Sequence, residues 1–367
     1  MKILHVLYAG LGGHGNVFFS LVHADKKHEH EYLALFNGVE NVREEYITGC
    51  EEYGIPWSYV LKKQGLDFRY YQQLFHYIKQ SKADIIFLHS SAYVLPARMC
   101  TFLATHKPRL IVRETQANHL KTRAEWFWLS VALLMADQIV FLSKAYRSQI
   151  QKRLPWLIND AKIRVIPNGI DLGKYCYSRR FGKGKILMGM QSRLVEIKDH
   201  RTLIAAFREV CDKNSGIECI LLIAGDGGTR PSLENYANEL GLKDNIVFTG
   251  MLNEKELLEF MQSLDIYIHA SFGETMSTAI MQAMACGLPI VASDVNGINN
   301  MIREGETGFL VPVENQHALA EKLLMLAENE EIRLMLGKQA RRFAEAHFSN
   351  TQMFIRYNSL FLGHNQN

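Results

Sequence analysis

Cysteine is sparse and scattered. Cys50, Cys100, Cys176, Cys211, Cys219 and Cys286 show no CxxC spacing. That excludes a zinc ribbon or a disulfide frame and leaves the expectation of small buried apolar residues in a reduced, cytoplasmic chain. The 14 histidines also lack ligand spacing; His28 and His30 fall in the polar stretch DKKHEHE and are expected to be solvated. An excess of one charge is missing too. A formal net charge of +3 gives no warrant for a nucleic-acid partner, and none is expected. Basic surface is local, in 106–123 and 178–185. Long hydrophobic runs are absent: WFWLSVALLMA (126–136) is about half the ~20 residues a membrane span needs. The opening MKILHVLYAGLGG has no long apolar region or small-residue cleavage site and runs into glycines, so it reads as a first strand. There is no low-complexity tract and no repeat of solenoid length.

What remains is a soluble globular composition, 48% hydrophobic and 22% charged, over 367 residues. One core does not serve that length, so two domains of roughly 150–200 residues are expected. Short runs rich in Ile, Val and Leu recur: ILHVLY (3–8), YLALF (32–36), DIIFLH (84–89), RLIVRE (109–114), QIVFLS (138–143) and IRVIP (163–167). A second series is KILMGM (185–190), CILLIAG (219–225), IVFTG (246–250), IYIHA (266–270), PIVAS (289–293) and GFLVP (308–312). Continuous apolar runs fit strands buried on both faces. Helical patterns lie between them, as in DHRTLIAAFREVC (199–211), where Asp199 is placed to cap and Leu203, Ile204, Phe207 and Val210 share a face. Strand alternating with helix, twice over, predicts two Rossmann-like, doubly wound parallel sheets facing across a cleft. The boundary is expected within PNGIDLGKYCYSRRFGKG (167–184), giving an N-terminal domain over 1–172 and a C-terminal one over 173–349. The helical tail is expected to break near Phe348–Asn350, with 350–367 joining the N-terminal domain.

In such sheets ligands sit beyond the carboxyl ends of the strands, so four loops carry the interest. YAGLGGHGN after the first strand brings Gly10, Gly12, Gly13 and Gly15 to a helix start, where N–H groups can approach an anion. Gly10, Gly12 and Gly15 match a GxGxxG spacing, but no acidic residue closes the next strand, which disfavours a nicotinamide dinucleotide. The competing reading is a tight turn alone. QSRLVEIKDH (191–200) sets Arg193 and Lys198 in one loop, able to converge on one anion as fork and point charge; two solvent-facing cations are the plainer alternative. AGDGG (224–228) is explained at least as well by turn geometry as by ligand contact. SFGETMSTAIMQAMACGLP predicts a helix from near Ser277 to Cys286, with Gly287 at its left-handed end. Thr275, Ser277 and Thr278 would then present hydroxyls and N–H groups at its positive tip, where a diphosphate fits. Glu274 could simply favour the dipole. Glu274 and Gln282 are eight residues apart, about 12 Å along a helix, so they could meet only the two ends of an extended ligand.

These stretches together resemble a family 4 retaining glycosyltransferase of the GT-B fold, over essentially the whole chain. The resemblance rests on GGHGN, VIPNGID (165–171), SRLVEIKD (192–199), IAGDGGTRPSLE (223–234), VFTGML (247–252) and SFGETMSTAIMQAMACGLPIVASDVNGI (271–298) followed by EGETGFLVP. It implies that Glu274 meets donor-sugar hydroxyls near the reacting carbon. Gln282 stands where the family carries a second Glu that holds the nucleotide ribose, and an amide can still bind ribose hydroxyls. Thr275, Met276 and Ser277 replace the usual Gly-Phe-Gly, which changes the shape of the sugar and phosphate pocket. Arg193 and Lys198 match the basic pair that neutralises the diphosphate as the glycosidic bond breaks, in place of a DxD-bound metal, so no metal or other cofactor is expected.

The resemblance further puts Gly13 and Gly225 beside the donor and base recognition around Phe248–Met251, with Met251 included. After RLIVRE the family often carries a His or Asp. Here the choices are Glu114, His119 and Lys121, of which His119 is taken as the catalytic candidate. The implied activity is retaining transfer of a sugar from a nucleotide diphosphate donor, UDP-sugar favoured, to a glycan or polyprenyl-linked acceptor. The implied setting is surface-polysaccharide or glycoprotein-glycan assembly. HLKTRAEWFWLSVALLMA (119–136) combines basic residues, tryptophans and an apolar face that could touch the inner face of a membrane; a core helix is the competing reading. A decayed sugar-nucleotide-binding protein or a non-transferase relative such as an epimerase are the alternative functions.

Overall fold

The structure, a computed structural model, describes residues 1–10, 13–63, 67–176, 184–213 and 216–363. Gly12 of the first glycine loop and all but the end of the basic stretch 178–185 lie outside the described residues. The chain divides into two compact units, Met1–Gly169 with Asn350–Asn367, and Ile170–Ser349.

The first unit alternates β1 (Lys2–Tyr8), α1 (Gly13–Ala24), β2 (Glu31–Gly38), α2 (Glu44–Glu52), β3 (Trp57–Leu61), α3 (Phe68–Ser81) and β4 (Ile85–Leu88). It continues through α4 (Val94–Leu103), β5 (Arg109–Arg113), α5 (Arg123–Met135), β6 (Gln138–Phe141), α6 (Lys144–Arg153) and β7 (Ile163–Val165). Seven strands pair in the order β3-β2-β1-β4-β5-β6-β7, all parallel. Alternate residues of each strand face opposite layers. Ile3, Leu7, Phe36 and Phe87 bury against α1 on one face, while Val6, Leu35, Leu88 and Val112 bury against α3, α4 and α5 on the other. Two buried faces are why these strands read as unbroken apolar runs.

The second unit runs β8 (Lys185–Gln191), α7 (His200–Lys213), β9 (Glu218–Ala224), α8 (Arg230–Glu239), β10 (Ile246–Gly250), α9 (Glu254–Ser263) and β11 (Ile266–His269). It ends with α10 (Thr278–Ala285), β12 (Ile290–Ser293), β13 (Gly308–Val311), α11 (Gln316–Glu328) and α12 (Glu330–His347). Six parallel strands take the order β10-β9-β8-β11-β12-β13. Asp199 accepts from the Thr202 N–H as the start of α7 requires.

The last helix, α13 (Asn350–Leu362), belongs to the first unit. Its Met353, Phe354, Tyr357, Leu360 and Phe361 complete the core that holds Ile3, Phe18 and Phe87. Ile170 donates to the Phe348 carbonyl, so its backbone is already tied to the second unit.

Both sheets reverse their strand order once, between β1 and β4 in the first and between β8 and β11 in the second. At such a point the flanking helices leave for opposite faces and open a crevice beyond the carboxyl ends of the strands. His30 departs from its expected exposure. It is buried, with Nε2 2.9 Å from Asn358 Oδ1 of α13, while His28 stays exposed in a left-handed turn. The cysteines are buried as expected except at Cys176, exposed, and Cys211, half-buried.

Candidate active site

The loops at the second unit's crevice are 192–199 after β8 and 270–277 after β11. Backbone hydrogen bonds lock each to its neighbours. Ser192 N–H donates to the Ala224 carbonyl and Leu194 N–H to Asp226, tying the first loop to the one after β9. Gly225 sits at φ +128°, and a Cβ there would fall 1.9 Å from the Ser192 carbonyl oxygen. That close approach explains its glycine without any ligand. His200 braces the loop from inside, with Nε2 3.0 Å from Ser192 Oγ and Nδ1 2.9 Å from the Lys198 carbonyl. Burial pushes its imidazole down to about 4, so it is neutral there at physiological pH.

The second loop is stitched to the first. Phe272 N–H and the Ser271 hydroxyl both donate to the Ile197 carbonyl, and Asp199 N–H donates to Ala270. Gly297, at φ +90°, lets the 294–298 turn close on Glu274: a Cβ there would lie 2.0 Å from the Glu274 carbonyl oxygen. Glu274 N–H donates in turn to the Asn296 carbonyl.

These contacts bring Lys198 and Glu274 together as an ion pair, with side chains 12% and 19% exposed. His269, the last residue of β11, places Nε2 3.1 Å from the same Glu274 Oε1. A carboxylate only accepts, so Nε2 carries the proton, and the bare Nδ1 lies 3.3 Å from the Tyr267 hydroxyl, which also reaches the Gln191 carbonyl at 3.3 Å. Burial holds His269 well below its usual pKa, hence neutral. Burial, and after it the nearby Arg193 guanidinium, pushes the Lys198 ammonium down to about 7, while the Glu274 carboxylate acts the other way. Arg193 is exposed. The crevice thus presents an exposed arginine, a half-buried lysine and a carboxylate held by two partners.

The remaining expected residues fall around this centre. The predicted helix is α10, capped by Ser277 and ending at Cys286 with Gly287 at φ +72°. Ser277 makes that cap: its Oγ accepts from Ile280 N–H and its own N–H faces Met301 Sδ at 3.3 Å. That bond uses an acceptor site on the oxygen and leaves the O–H to donate, while Glu274 serves the Lys198–His269 cluster instead of the helix tip. Thr275, Met276 and Thr278 are half-buried at the same end of α10, with Met276 packed on its core. Gly225 and Met251 follow adjacent strands, and Met251 is exposed.

Gln282 is buried in the middle of α10, where its Nε2 donates to Tyr175 Oη at 2.6 Å. Tyr175 is fixed by Arg341 of α12, which donates to the carbonyls of Tyr175 and of Ala285 at the end of α10, each at 2.6 Å. Sequence reasoning missed both His269 and Tyr175. His269 had a signal, a histidine closing a strand five residues before Glu274; Tyr175, in the connecting segment, had none.

At the first unit's crevice, α1 begins at Gly13 and carries His14, whose Nε2 lies 3.0 Å from Thr115 Oγ1. Behind it His5 Nδ1 meets His89 Nε2 at 3.0 Å, deep under β1 and β4. Burial, and then the Arg113 charge, pushes His14 down to about 3, and burial is likewise the largest cause for His5, also at about 3. His119 is exposed on a short 3-10 turn (Asn118–Leu120). Glu114 is buried at the end of β5 and ion-paired with Lys121 at 3.3 Å; Lys121 also donates to Asn118 Oδ1 at 3.0 Å. Of the three choices after β5, Glu114 and Lys121 hold the loop and His119 projects from it.

Two doubly wound parallel sheets with a cation-and-carboxylate crevice define a GT-B architecture. The chain belongs to the family 4 glycosyltransferases: the Glycosyl transferases group 1 family matches residues 178–343 and Glycosyltransferase Family 4 matches 11–174. It is similar to an uncharacterized glycosyltransferase of Methanocaldococcus jannaschii, 28% identical over 62% of this chain and 58% of that one. It is also similar to the Escherichia coli UDP-Gal:alpha-D-GlcNAc-diphosphoundecaprenol alpha-1,3-galactosyltransferase, 25% identical over 71% of each chain. Among solved structures, Anabaena HepE in complex with UDP and glucose superposes with a TM-score of 0.82 at 17% identity, over 99% of both chains. That likeness is of fold.

Proposed function

We propose that this chain transfers a sugar, with retention at the anomeric carbon, from a nucleotide diphosphate sugar to an acceptor hydroxyl. The donor is a UDP-sugar and the acceptor a glycan or a polyprenyl-linked saccharide, in surface-polysaccharide or glycoprotein-glycan assembly. The observation that carries the reading is the convergence of Arg193, Lys198 and Glu274 on one strand-order reversal. The UDP preference draws on the E. coli relative, whose name specifies UDP-Gal and a diphosphoundecaprenol-linked acceptor, and on HepE, solved with UDP and glucose.

In this reading the diphosphate lies between Arg193, Lys198 and the N-terminus of α10. It draws Lys198 off Glu274, and the freed carboxylate, still oriented by His269, accepts from sugar hydroxyls. The C1–O bond to the leaving phosphate breaks as the acceptor oxygen bonds to C1 on the same face. The acceptor proton passes to an oxygen of the departing diphosphate, so charge and atoms balance without an enzyme nucleophile. The cations stabilise the charge that builds on the leaving group, where a fixed donor is worth a few kcal/mol. Metal independence is part of the proposal and requires unchanged turnover in chelator. A thermal-shift panel of nucleotide sugars identifies the donor, because a cognate ligand stabilises by mass action. With that donor, Arg193→Ala and Lys198→Ala should each lower kcat by orders of magnitude; unchanged turnover in both removes the assignment.

A further inference from the structure

We propose that the outer sides of α4 and α5, with Trp156, form a docking face for an anionic lipid bilayer; this builds on the reading of a lipid-carried acceptor. The inner sides of these two helices account for themselves. Val94, Ala97 and Cys100 of α4 and Leu129, Ala132 and Leu133 of α5 lie in one core beneath them. Their outer sides carry Met99, Phe102 and Leu103 on α4, and Phe127 and Leu134 on α5, all exposed, Phe102 by 74%. Trp156, on a short turn packed against α5, is 84% exposed. A helix that is apolar all round is buried in something. Apart from Arg123 and Glu125 in its first turn, α5 has no charged residue, and Glu125 is spent on a capping box with Thr122. The face is therefore wider than the tryptophan-rich stretch that suggested membrane contact, because α4 and Trp156 extend it.

Charge selects the occupant. Residues 94–164 contain 12 Lys and Arg against 4 Asp and Glu, a net +8, whereas the whole chain is +3, leaving −5 elsewhere. All four acids are already engaged: Glu114 with Lys121, Glu125 in the cap, Asp137 with Arg98 and Asp160 with Arg147. Exposed cations flank the apolar side chains, Lys107 after α4, Arg123 at the start of α5, and Lys152 and Arg153 just before Trp156. A second copy docked face to face would set these exposed cations against their own kind. A bilayer with anionic headgroups offers apolar depth for Phe102 and Leu134 and opposite charge for the rim.

The test uses the full chain with vesicles of phosphatidylcholine alone or mixed with phosphatidylglycerol. Cosedimentation with the anionic vesicles only, weakening with salt, is expected. A blue shift in the emission that Trp156→Phe removes should accompany it. Phe102→Ser with Phe127→Ser, or Lys107→Glu with Lys152→Glu, should each reduce partitioning at least tenfold while nucleotide-sugar binding in solution stays unchanged. Equal binding to both vesicle types, binding indifferent to these variants, or no binding overturns the proposal. So does a concentration-dependent dimer that the same variants dissolve, since a second copy would then cover the face. Vesicle binding without nucleotide-sugar binding would sink the transferase reading and leave the docking face standing.

Discussion

Lys198→Met separates a binding role from a structural one. Lowering an ammonium from its ordinary 10.5 to about 7 corresponds to roughly 5 kcal/mol against the charged form. That is an upper bound on the strain, because Glu274 sits against the ammonium and offsets part of it. Methionine keeps the apolar stem and removes the buried charge, and Glu274 retains the His269 N–H at 3.1 Å. The variant should therefore melt at or a few degrees above the parent temperature, since about 1 kcal/mol moves Tm by ~2–4 °C in a domain this size. The same change deletes a cation from the charge-building side of the reaction, and removing one such donor costs roughly 100–1000-fold in kcat. The assays are nucleotide release with the cognate donor and acceptor, and a thermal melt of the same preparation. Turnover within threefold of the parent would refute the role of Lys198. A melt lowered by more than ~5 °C together with lost turnover would make the residue structural.

Affinity for the nucleotide diphosphate should fall as pH rises, because Lys198 loses its proton near 7 in the free protein and the ligand needs it charged; calorimetry at pH 6 and 9 and fixed ionic strength tests this, and a flat profile means Glu274 keeps the ammonium charged throughout. Gly297→Ala places a Cβ 2.0 Å from the Glu274 carbonyl at φ +90°; about 1–3 kcal/mol of stability should be lost, and turnover should drop more than tenfold with nucleotide affinity nearly kept. Glu114→Gln breaks an ion pair whose side chains are 4% and 1% exposed, leaving Lys121 buried without its carboxylate at a cost of about 3–5 kcal/mol, readable as a lower denaturation midpoint. His119→Ala, on an exposed turn, should change neither stability nor kcat by more than about threefold.

Most of the fold was legible because a strand buried on both faces cannot hide its composition. Twelve apolar runs were read, and each is a strand. The exception is β3, WSYVL, an edge strand with Trp57 and Leu61 exposed, whose half-polar pattern lacks the continuous signal. His30 misled for the opposite reason. Its neighbours Lys27, His28 and Glu29 are exposed as their charge suggests, but α13, more than 300 residues later, supplies Asn358 and a wall of aromatic rings. Nothing local encodes that.

Within the site, what could be read was what a single loop decides. Arg193 and Lys198 share a loop, and Ser277 to Gly287 announce a helix with both ends punctuated. What could not be read depends on partners distant in sequence. Glu274 appeared free to serve the helix dipole until Lys198, 76 positions earlier, closed on it. Gln282 shows the same limit more sharply. The resemblance implies a ribose contact for it, yet its amide nitrogen donates to Tyr175, and Arg341 holds Tyr175. An amide at 282, where the resemblance implies a second carboxylate, then acquires a reason. A carboxylate there would sit at a position only 8% exposed, with the tyrosine hydroxyl as its donor, whereas the amide donates a hydrogen bond to Tyr175 and keeps its carbonyl oxygen to accept from a ligand. Gln282→Glu tests this in one step: if the tyrosine hydroxyl can turn to donate, nucleotide affinity rises up to about tenfold through a charge-assisted bond. A loss of both affinity and stability would show that the pocket has been built around an uncharged residue.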